Sequence, residues 1–301
     1  MKAVILTAYG DVDKLEVRDL PDPKAGPNEI KVGMAGAGIN PVDWKQRSGA
    51  LAKWMPLDLP AILGRDASGV VVEVGPGVTT FKVGDRVLGR VSRSYAELVV
   101  GPVEDWAEVP AKLDLIDAGA LPLVLLTGAQ LVEETVNLSK GDLVLVTGAT
   151  GSVGRAAVFA AKARGAKVYA GVRAKHKGAA RKLGADAVVA LDDDGEIASL
   201  PQLDAIADTV GGDTIQKLYG KVKPGGTVGG VVGEPAGAKE RGLVARGMLT
   251  HSDPKRLAEL AQAVADGKLV IPIAKRFPLA KAGEAQKLAE AGAGGKVILT
   301  G

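Results

Sequence analysis

A glycine-rich turn between an apolar strand and an alanine-rich helix most constrains how this chain can fold. The stretch VLVTGATGSVGRAA predicts a buried strand over Leu143–Thr147, then a turn and the start of a helix. Gly148, Gly151 and Gly154 stand in the turn and at the helix start. Backbone amides at such a helix start point toward an anion, and the positive end of the helix dipole favours one. The segment therefore predicts a cradle for a pyrophosphate, with a ligand-free turn as the alternative.

The chain around this turn alternates strands with helices. A helix is predicted over Val153–Arg164 and another over Lys175–Leu183. Short apolar segments that favour strands are Lys167–Ala170, Ala187–Val189, Asp204–Asp208 and Thr227–Val232. Parallel βαβ units have this rhythm, so an α/β fold is predicted, with a doubly wound parallel sheet of Rossmann type in the middle of the chain.

The two ends of the chain have a different pattern. Before Leu113, short β-branched segments separated by Gly, Pro and Asp predict a barrel-like or sandwich module. These strands are Lys2–Leu6, Ile30–Val32, Gly69–Val74, Arg86–Leu88 and Ala96–Val100. At the other end, the predicted elements are a helix over Lys255–Asp266 capped by Ser252 or Asp253, a strand over Val270–Ile273, a helix over Ala280–Ala291 and a strand over Lys296–Leu299.

Composition excludes several classes of function. The 301 residues carry a formal net charge of +3, and aromatic residues make up 3% of them, so no nucleic-acid surface is predicted. No apolar run reaches the roughly 20 residues of a membrane span, and no signal peptide is evident at the N-terminus. The chain has no cysteine, which excludes disulfides and thiolate chemistry. A cytoplasmic protein with a small-molecule partner is predicted.

The residues after the second strand of the alternating region indicate which dinucleotide the turn would hold. No Asp or Glu lies between Arg155 and Ala185, where an NAD-binding fold places an acid on the ribose. A basic cluster stands there instead, formed by Arg173, Lys175, His176 and Lys177. A guanidinium binds a 2′-phosphate that a carboxylate would repel, so NADPH is the predicted cofactor. A solvated basic cluster is the alternative.

One competing family also has a glycine loop of this form. The short-chain dehydrogenases combine TGxxGxxG with YxxxK, which Tyr219–Lys223 matches formally. Two features disfavour that family: about 140 residues precede the loop, and Pro224 ends the helix directly after the lysine.

Several motifs along the whole chain carry a stronger resemblance. They are AGAGINPVDWKQRSG (35–49), LPAILGRDASGVVVEVGPGVTTFKVGDRVLG (59–89), SYAELVV (94–100), ALPLVLLTG (120–128), TGATGSVG (147–154), LGAD (183–186), DTVGG (208–212) and KPGGTVGGVVG (223–233). Together they resemble the zinc-free quinone oxidoreductase and enone (alkenal/one) reductase branch of the medium-chain dehydrogenase/reductase superfamily. The resemblance implies a GroES-like, β-rich catalytic domain of residues 1–117 and 255–301, a Rossmann NADPH-binding domain of residues 118–254, and a homodimer.

The zinc ligands of other members of that superfamily are replaced here. The segment that resembles the site of a cysteine ligand has Asn40, and the family's Gly-His-Glu is replaced by Gly64, Arg65 and Asp66. The two histidines, His176 and His251, are far apart in the chain. The protein is therefore predicted to hold no metal.

The resemblance also implies site residues. Asn40, Asp43 and Lys45 are expected to be catalytic, facing the cleft beside the nicotinamide. For Asp43 a helix-capping role is the alternative, and for Lys45 a plain surface position. The cofactor-binding residues are expected to be Asn40, Lys45, Thr127, Gly148, Thr150, Gly151, Ser152, Val153, Arg173, Lys175, His176, Lys177, Val210, Gly211, Val231, Val232 and Gly233. Relatives often have a tyrosine after the next strand, where this chain has Asp192, Asp193 and Asp194.

These expectations predict a zinc-independent NADPH-dependent reductase of quinones or α,β-unsaturated carbonyl compounds. Tyr95 is predicted to pack in the core, and His251 to lie in a loop. Walls for a hydrophobic acceptor are predicted from Leu51–Leu57 and from Gly233–Thr250. Two alternatives remain: an NADPH-binding protein of this fold with a regulatory or structural role and little turnover, and a polyketide-type enoyl reductase.

Overall fold

The computed structural model describes residues 1–301, which form two compact units. The first unit consists of Met1–Leu123 and Ser252–Gly301, and the second is Val124–His251. The sequence placed the domain boundaries at 117/118 and 254/255. No helix is long and apolar enough to cross a membrane.

The strands and helices alternate along most of the chain. The strands are β1 (Lys2–Leu6), β2 (Leu15–Asp19), β3 (Glu29–Gly38), β4 (Ala61–Ile62), β5 (Ala67–Val74), β6 (Arg86–Gly89), β7 (Leu98–Pro102), β8 (Trp106–Glu108), β9 (Leu143–Thr147), β10 (Lys167–Val172), β11 (Ala187–Ala190), β12 (Leu203–Asp208), β13 (Val222–Gly230), β14 (Val244–Gly247), β15 (Ile273–Pro278) and β16 (Lys296–Thr300). The helices are α1 (Pro41–Arg47), α2 (Leu115–Ala118), α3 (Pro122–Gln130), α4 (Ser152–Ala163), α5 (Lys177–Ala180), α6 (Asp194–Ala198), α7 (Asp213–Gln216), α8 (Pro254–Ala265) and α9 (Ala282–Glu290).

The first unit is built on the long central strand β3. Its sequence alternates buried and less buried residues, which is the period of a strand with one face in the core. β3 pairs antiparallel with β5, β7 and β16 within a seven-stranded sheet. Six strands follow the order β15–β16–β3–β5–β6–β8, and the seventh, β7, pairs with β3 outside this order. A three-stranded sheet, ordered β2–β1–β4, completes the unit. Its largest fully buried side chains include Trp106 and Tyr95, so the prediction that Tyr95 packs in the core is confirmed.

The second unit contains one six-stranded parallel sheet. Its order is β11–β10–β9–β12–β13–β14, so the chain moves outward from β9 first to one side and then to the other. The central strands β9 and β12 are buried along almost their whole length, as is typical of a parallel sheet that is covered on both faces. This is the Rossmann arrangement, and the predicted α/β fold is confirmed. In such sheets ligands bind at the carboxyl ends of the strands, where the order reverses.

Two local predictions differ from the structure. The strand predicted at Val270–Ile273 begins at Ile273 and continues to Pro278, because Pro272 cannot donate to a strand ladder. The helix predicted at Lys175–Leu183 is three short pieces, of which only α5 is α-helical. Gly178 lies in this segment and lowers its helix propensity. The predicted capping of α8 is confirmed, with Asp253 as the N-cap and Pro254 at the first position.

Candidate functional site

The glycine turn after β9 leaves backbone amides open at the start of a 12-residue helix. Gly151 is the N-cap of α4, and no side chain caps the first turn. The first amides of a helix have no partner within it, so those of Ser152 and Val153 are available to a ligand. A Cβ at Gly154 would lie 2.2 Å from the carbonyl oxygen of Gly148, so only glycine allows this packing. The turn fits the pyrophosphate of a dinucleotide.

A buried aspartate fixes the loop beside the glycine turn. Asp208, at the end of β12, accepts a hydrogen bond from the Thr147 hydroxyl at 2.5 Å. Its carboxylate also accepts the amides of Val210 at 3.1 Å and Gly211 at 2.9 Å. The Thr209 hydroxyl donates to the carbonyl oxygen of Thr147 at 2.8 Å. The ends of β9 and β12 are therefore held together at the point where the strand order reverses.

The basic cluster lies at the carboxyl end of β10, as its place in the sequence requires. Arg173, Lys175 and His176 are exposed, and their side chains make no hydrogen bond or ion pair. Lys177 is half-buried and forms an ion pair with Glu196 at 2.6 Å. Three of the four predicted side chains are thus free to meet an anion, whereas Lys177 is partly neutralised.

The structure adds a carboxylate to this basic turn. Asp192, which follows β11, accepts a hydrogen bond from the amide of Ala174 at 2.7 Å. Asp192 lies outside the acid-free segment from Arg155 to Ala185, and the pairing of β11 with β10 brings it to the turn. Its negative charge opposes binding of a 2′-phosphate at the turn.

Two further loops of the second unit carry predicted cofactor residues. Val210 is 49% exposed and Val232 is 57% exposed, although both are apolar. A Cβ at Gly211 would lie 3.6 Å from the Val232 side chain, so the two loops are adjacent. Thr127 is buried, and its hydroxyl lies 2.7 Å from that of Thr250. The exposed valines form an apolar surface of the kind that packs against a nicotinamide ring.

In the first unit two of the three predicted catalytic residues, Asn40 and Asp43, belong to a buried network of polar side chains. Asn40 and Asp43 are 0% exposed. Oδ2 of Asp43 accepts the Asn40 amide at 2.8 Å, which caps the start of α1, and also accepts the Tyr95 hydroxyl at 2.9 Å. Oδ1 of Asp43 has no partner. Asp43 therefore has the capping role that the sequence left open, and its predicted catalytic role stays a prediction.

A buried lysine completes this network of polar side chains. Lys296, on β16, donates to Oδ1 of Asn40 at 2.6 Å and to the carbonyl oxygen of Ile39 at 2.8 Å. The side-chain nitrogen Nδ2 of Asn40 donates to Oδ2 of Asp66 at 2.7 Å, and the Lys296 ammonium lies 3.9 Å from the same oxygen. The other oxygen of Asp66 accepts the amide of Leu123 at 2.6 Å. One ammonium and two carboxyl groups are thus enclosed together.

Burial dominates the protonation of this group. Burial raises the pKa of Asp43 to about 7, against the hydrogen bonds from Asn40 and Tyr95 that stabilise the carboxylate. Burial also raises the pKa of Asp66 and lowers the pKa of Lys296, while their mutual attraction opposes both shifts. The pKa of Tyr95 lies well above its usual value because of burial and the charge of Asp43. The group contains a single ammonium, so Asp66 is its natural carboxylate partner and Asp43 is the carboxyl that protonates.

The buried network of polar side chains does not fit a zinc ion. A zinc site needs about four neutral imidazole, thiolate or carboxylate ligands. Here Asn40 and Asp66 are bonded to each other and lie beside the Lys296 ammonium, which already supplies a positive charge. No group of three or more His, Cys, Asp or Glu residues that could hold a metal is present.

Other predicted residues of the first unit lie nearer the surface. Lys45, on α1, is half-buried, and its ammonium makes no hydrogen bond or ion pair. Within the segment Leu51–Leu57, the Trp54 side chain is 76% exposed, with the Lys53 ammonium 5.3 Å from its ring centroid. This segment has the apolar, accessible character expected of a wall for a hydrophobic acceptor, a role that stays a prediction.

Comparison with known proteins agrees with this architecture. Residues 26–110 match the family described as "Alcohol dehydrogenase GroES-like domain", and residues 183–299 match "Zinc-binding dehydrogenase". The 2-haloacrylate reductase of a Burkholderia species is 30% identical, over 95% of this chain and 94% of its own length. This chain belongs to the medium-chain dehydrogenase/reductase superfamily.

Further similar proteins are quinone oxidoreductases of that superfamily. The quinone oxidoreductase of Pseudomonas aeruginosa is 31% identical over 94% of each chain. The structure of the quinone oxidoreductase from Coxiella burnetii matches with a TM-score of 0.91 and 30% identity, covering 100% of this chain and 99% of that one. The protein is therefore an oxidoreductase, and this superfamily uses nicotinamide cofactors.

Sequence reasoning missed the roles of three residues that organise these sites. Lys296 and Asp66 are 230 positions apart, so nothing local pairs them. A lysine directly before the apolar residues of GGKVILT was the available signal, because a charged residue is rarely buried without a partner. Asp192 was visible in the sequence, but only the register of β10 beside β11 brings it to the basic turn.

Proposed function

We propose that this oxidoreductase transfers hydride from NADPH to quinones or to the C=C bond of α,β-unsaturated carbonyl compounds. The observation that carries the proposal is the uncapped start of α4 at the glycine turn. The names of the relatives support the acceptor class, since one acts on quinones and another on a haloacrylate. When bound, NADPH supplies the hydride.

Residues of the second unit would hold the cofactor. The amides of Ser152 and Val153 bind the pyrophosphate at the positive end of α4. Arg173 and Lys175 bind the 2′-phosphate, since neither has another partner. The exposed Val232 packs against the nicotinamide ring and excludes water from it.

Residues of the first unit would serve the acceptor. Lys45 has an ammonium free to stabilise the negative charge that develops on the carbonyl oxygen. Asn40 and Asp43 hold the start of α1, and so act on the acceptor through the position of Lys45. Because Asp43 is enclosed, solvent delivers the proton to the α-carbon.

The test is consumption of NADPH and of NADH with paired quinone and enone acceptors, together with product analysis. Replacing both Arg173 and Lys175 by Gln should raise KM for NADPH about 10- to 100-fold, because two charge-assisted contacts are lost. KM for NADH should stay unchanged. Lys140→Gln is a matched control, since this exposed lysine precedes β9 at the opposite end of the sheet. Equal use of NADH and NADPH by the unaltered protein would contradict the cofactor assignment.

One observation favours a second candidate function. Two of the three predicted catalytic side chains, Asn40 and Asp43, are fully buried and bonded within the fold. An NADPH-binding protein with a regulatory or structural role needs no catalytic side chain that reaches an acceptor, so the burial of Asn40 and Asp43 is compatible with such a role. Tight NADPH binding without turnover of any acceptor would establish that function instead.

We also propose a homodimer. The strand β14 ends the sheet of the second unit and has a neighbour on one side only. An unpaired edge of this kind is a template for pairing with a second copy. Light scattering after size-exclusion chromatography should give twice the 30.7 kDa mass of the chain, and a monomer would reject the proposal.

A further inference from the structure

Two arginines lie next to each other in the first unit, beside the buried network of polar side chains. The amide of Val91 donates to the carbonyl oxygen of Arg65 at 3.1 Å, and that of Arg93 donates to Gly64 at 3.1 Å. These bonds align the segment that contains Arg65 with the one that contains Arg90. Arg65 directly precedes Asp66, which is bonded to Asn40, and the charge of Asp66 acts on Arg90, so the Arg90 guanidinium lies near this buried network.

The two guanidiniums have more donors than partners. Arg65 donates to the Ser92 hydroxyl at 3.2 Å, and Arg90 makes a long contact of 3.5 Å with Ser252. Nε of Arg90 is buried and has no partner at all. Each guanidinium carries several N–H donors, and a buried donor without an acceptor costs free energy. Something with oxygen acceptors would satisfy this pair.

The nearest carboxylates have other hydrogen-bond partners. Asp66 is bonded to Asn40 and Leu123, and the Asp105 carboxylate accepts the hydroxyl of Ser252. Neither forms an ion pair with Arg65 or Arg90. Burial first, and then the charge of Arg65, lowers the pKa of Arg90, whereas Asp105 and Asp66 act in the opposite direction. The lowering dominates, which is the signature of a cation whose surroundings lack a matching anion.

We propose that Arg65 and Arg90 bind the carboxylate of an α,β-unsaturated acid, which makes that acid the preferred acceptor. This inference rests on the proposed reductase function. Hydride from NADPH forms a C–H bond at the β-carbon, the C=C π bond breaks, and a proton from solvent adds at the α-carbon. The products are the saturated acid and NADP⁺. During the transfer negative charge grows on the carboxylate oxygens, where two guanidiniums stabilise it and a fork of N–H donors fits it in bidentate fashion.

The same oxyanion chemistry has a second source, namely the phosphates of NADPH. Acceptor and cofactor are distinguished by measuring both in the same variants. The acceptors are acrylate, crotonate and cinnamate, each paired with its neutral methyl ester. Arg65→Gln and Arg90→Gln should each raise KM for the acids about 10- to 100-fold, while KM for the esters and Kd for NADPH stay unchanged. Arg65→Lys should recover part of the loss, because it keeps the charge without the fork.

Arg18→Gln provides the matched control for the loss of one positive charge. Arg18 lies on β2 and forms an exposed ion pair with Glu16, remote in sequence from the arginine pair. It should leave KM for the acids unchanged. An equal fall in activity in this variant and in Arg65→Gln would overturn the inference, since general charge would then explain it.

The other outcomes distinguish failure of the carboxylate site from failure of the reductase function. Acids reduced no better than their esters, with no effect of the arginine variants, would refute the carboxylate site and leave the reductase function standing. A rise in Kd for NADPH in the variants would assign the arginines to the cofactor. If no acceptor is reduced, the proposed function fails, and calorimetry with butanoate decides the site: binding that Arg65→Gln abolishes supports it, and absence of binding overturns it.

Discussion

Replacing Asp43 by asparagine probes the buried network of polar side chains directly. The pKa of this carboxyl rises from 3.8 to about 7 on folding, about three units at about 1.4 kcal/mol each, so keeping it ionised in the fold costs about 4 kcal/mol. Because the folded pKa is the higher one, the neutral group stabilises the protein below about pH 4. That stability is lost as the pH rises from about 4 to about 7.

Asparagine mimics the neutral acid in this place. Its Oδ1 can accept both the Asn40 amide and the Tyr95 hydroxyl, as Oδ2 of Asp43 does. Its amide nitrogen then takes the position of Oδ1, which has no partner in the structure. The free energy of unfolding of the Asp43→Asn protein should therefore change less between pH 5 and pH 8 than that of the native protein. At pH 8 it should exceed the native value by up to about 4 kcal/mol.

Urea denaturation from pH 5 to pH 8 measures this difference. Asp58→Asn is the control, because Asp58 is exposed and its side chain makes no hydrogen bond. The control should follow the native pH profile. If Asp43→Asn instead keeps the native slope and is destabilised equally at every pH, the carboxyl is ionised throughout and the reasoning fails.

Three other substitutions test the remaining sites. Gly154→Ala should destabilise the protein by about 1 to 3 kcal/mol and weaken NADPH binding, because its Cβ would collide with the carbonyl oxygen of Gly148; thermal denaturation and cofactor fluorescence report the two effects. Asp192→Asn should tighten NADPH binding about two- to fivefold without changing that of NADH, as removal of one solvent-exposed charge predicts; unchanged NADPH affinity would show that Asp192 lies far from the phosphate. Lys296→Met should lower the free energy of unfolding by about 3 to 5 kcal/mol, because Asp66 loses its counter-charge. Adding Asp66→Asn should restore part of that stability, and additive losses in urea denaturation would argue against an interaction between Lys296 and Asp66.

The parts of the structure that sequence reasoning predicted correctly have local causes. The strand Leu143–Thr147 lies where its apolar run predicted, and the glycine turn follows it, since both depend on neighbouring residues. The alternation of strands and helices that follows the turn then predicts a parallel sheet. The strand at Ile273–Pro278 was misplaced because a short apolar segment, Val270–Ile273, has no periodicity that separates a strand from an extended loop.

The parts that sequence reasoning missed depend on contacts distant in the chain. The role of Asp43 was left open, since a short acid after Asn-Pro serves equally as a cap and as a site residue. Its complete burial and its bonds to Asn40 and Tyr95 establish the capping role, and its catalytic role stays a prediction. The spare donors of Arg65 and Arg90 were likewise invisible, because an arginine without a partner is recognised only once its surroundings are known.

The position of β16 sets the order in which the chain can fold during synthesis. β16 lies between β15 and β3 and carries Lys296, so the sheet of the first unit stays incomplete until residues 296–300 have been synthesised. The second unit is one continuous segment, Val124–His251, and can fold while synthesis continues. Until then the flank of β3 that pairs with β16 is uncovered, and an open strand edge of this kind is prone to pair with other chains.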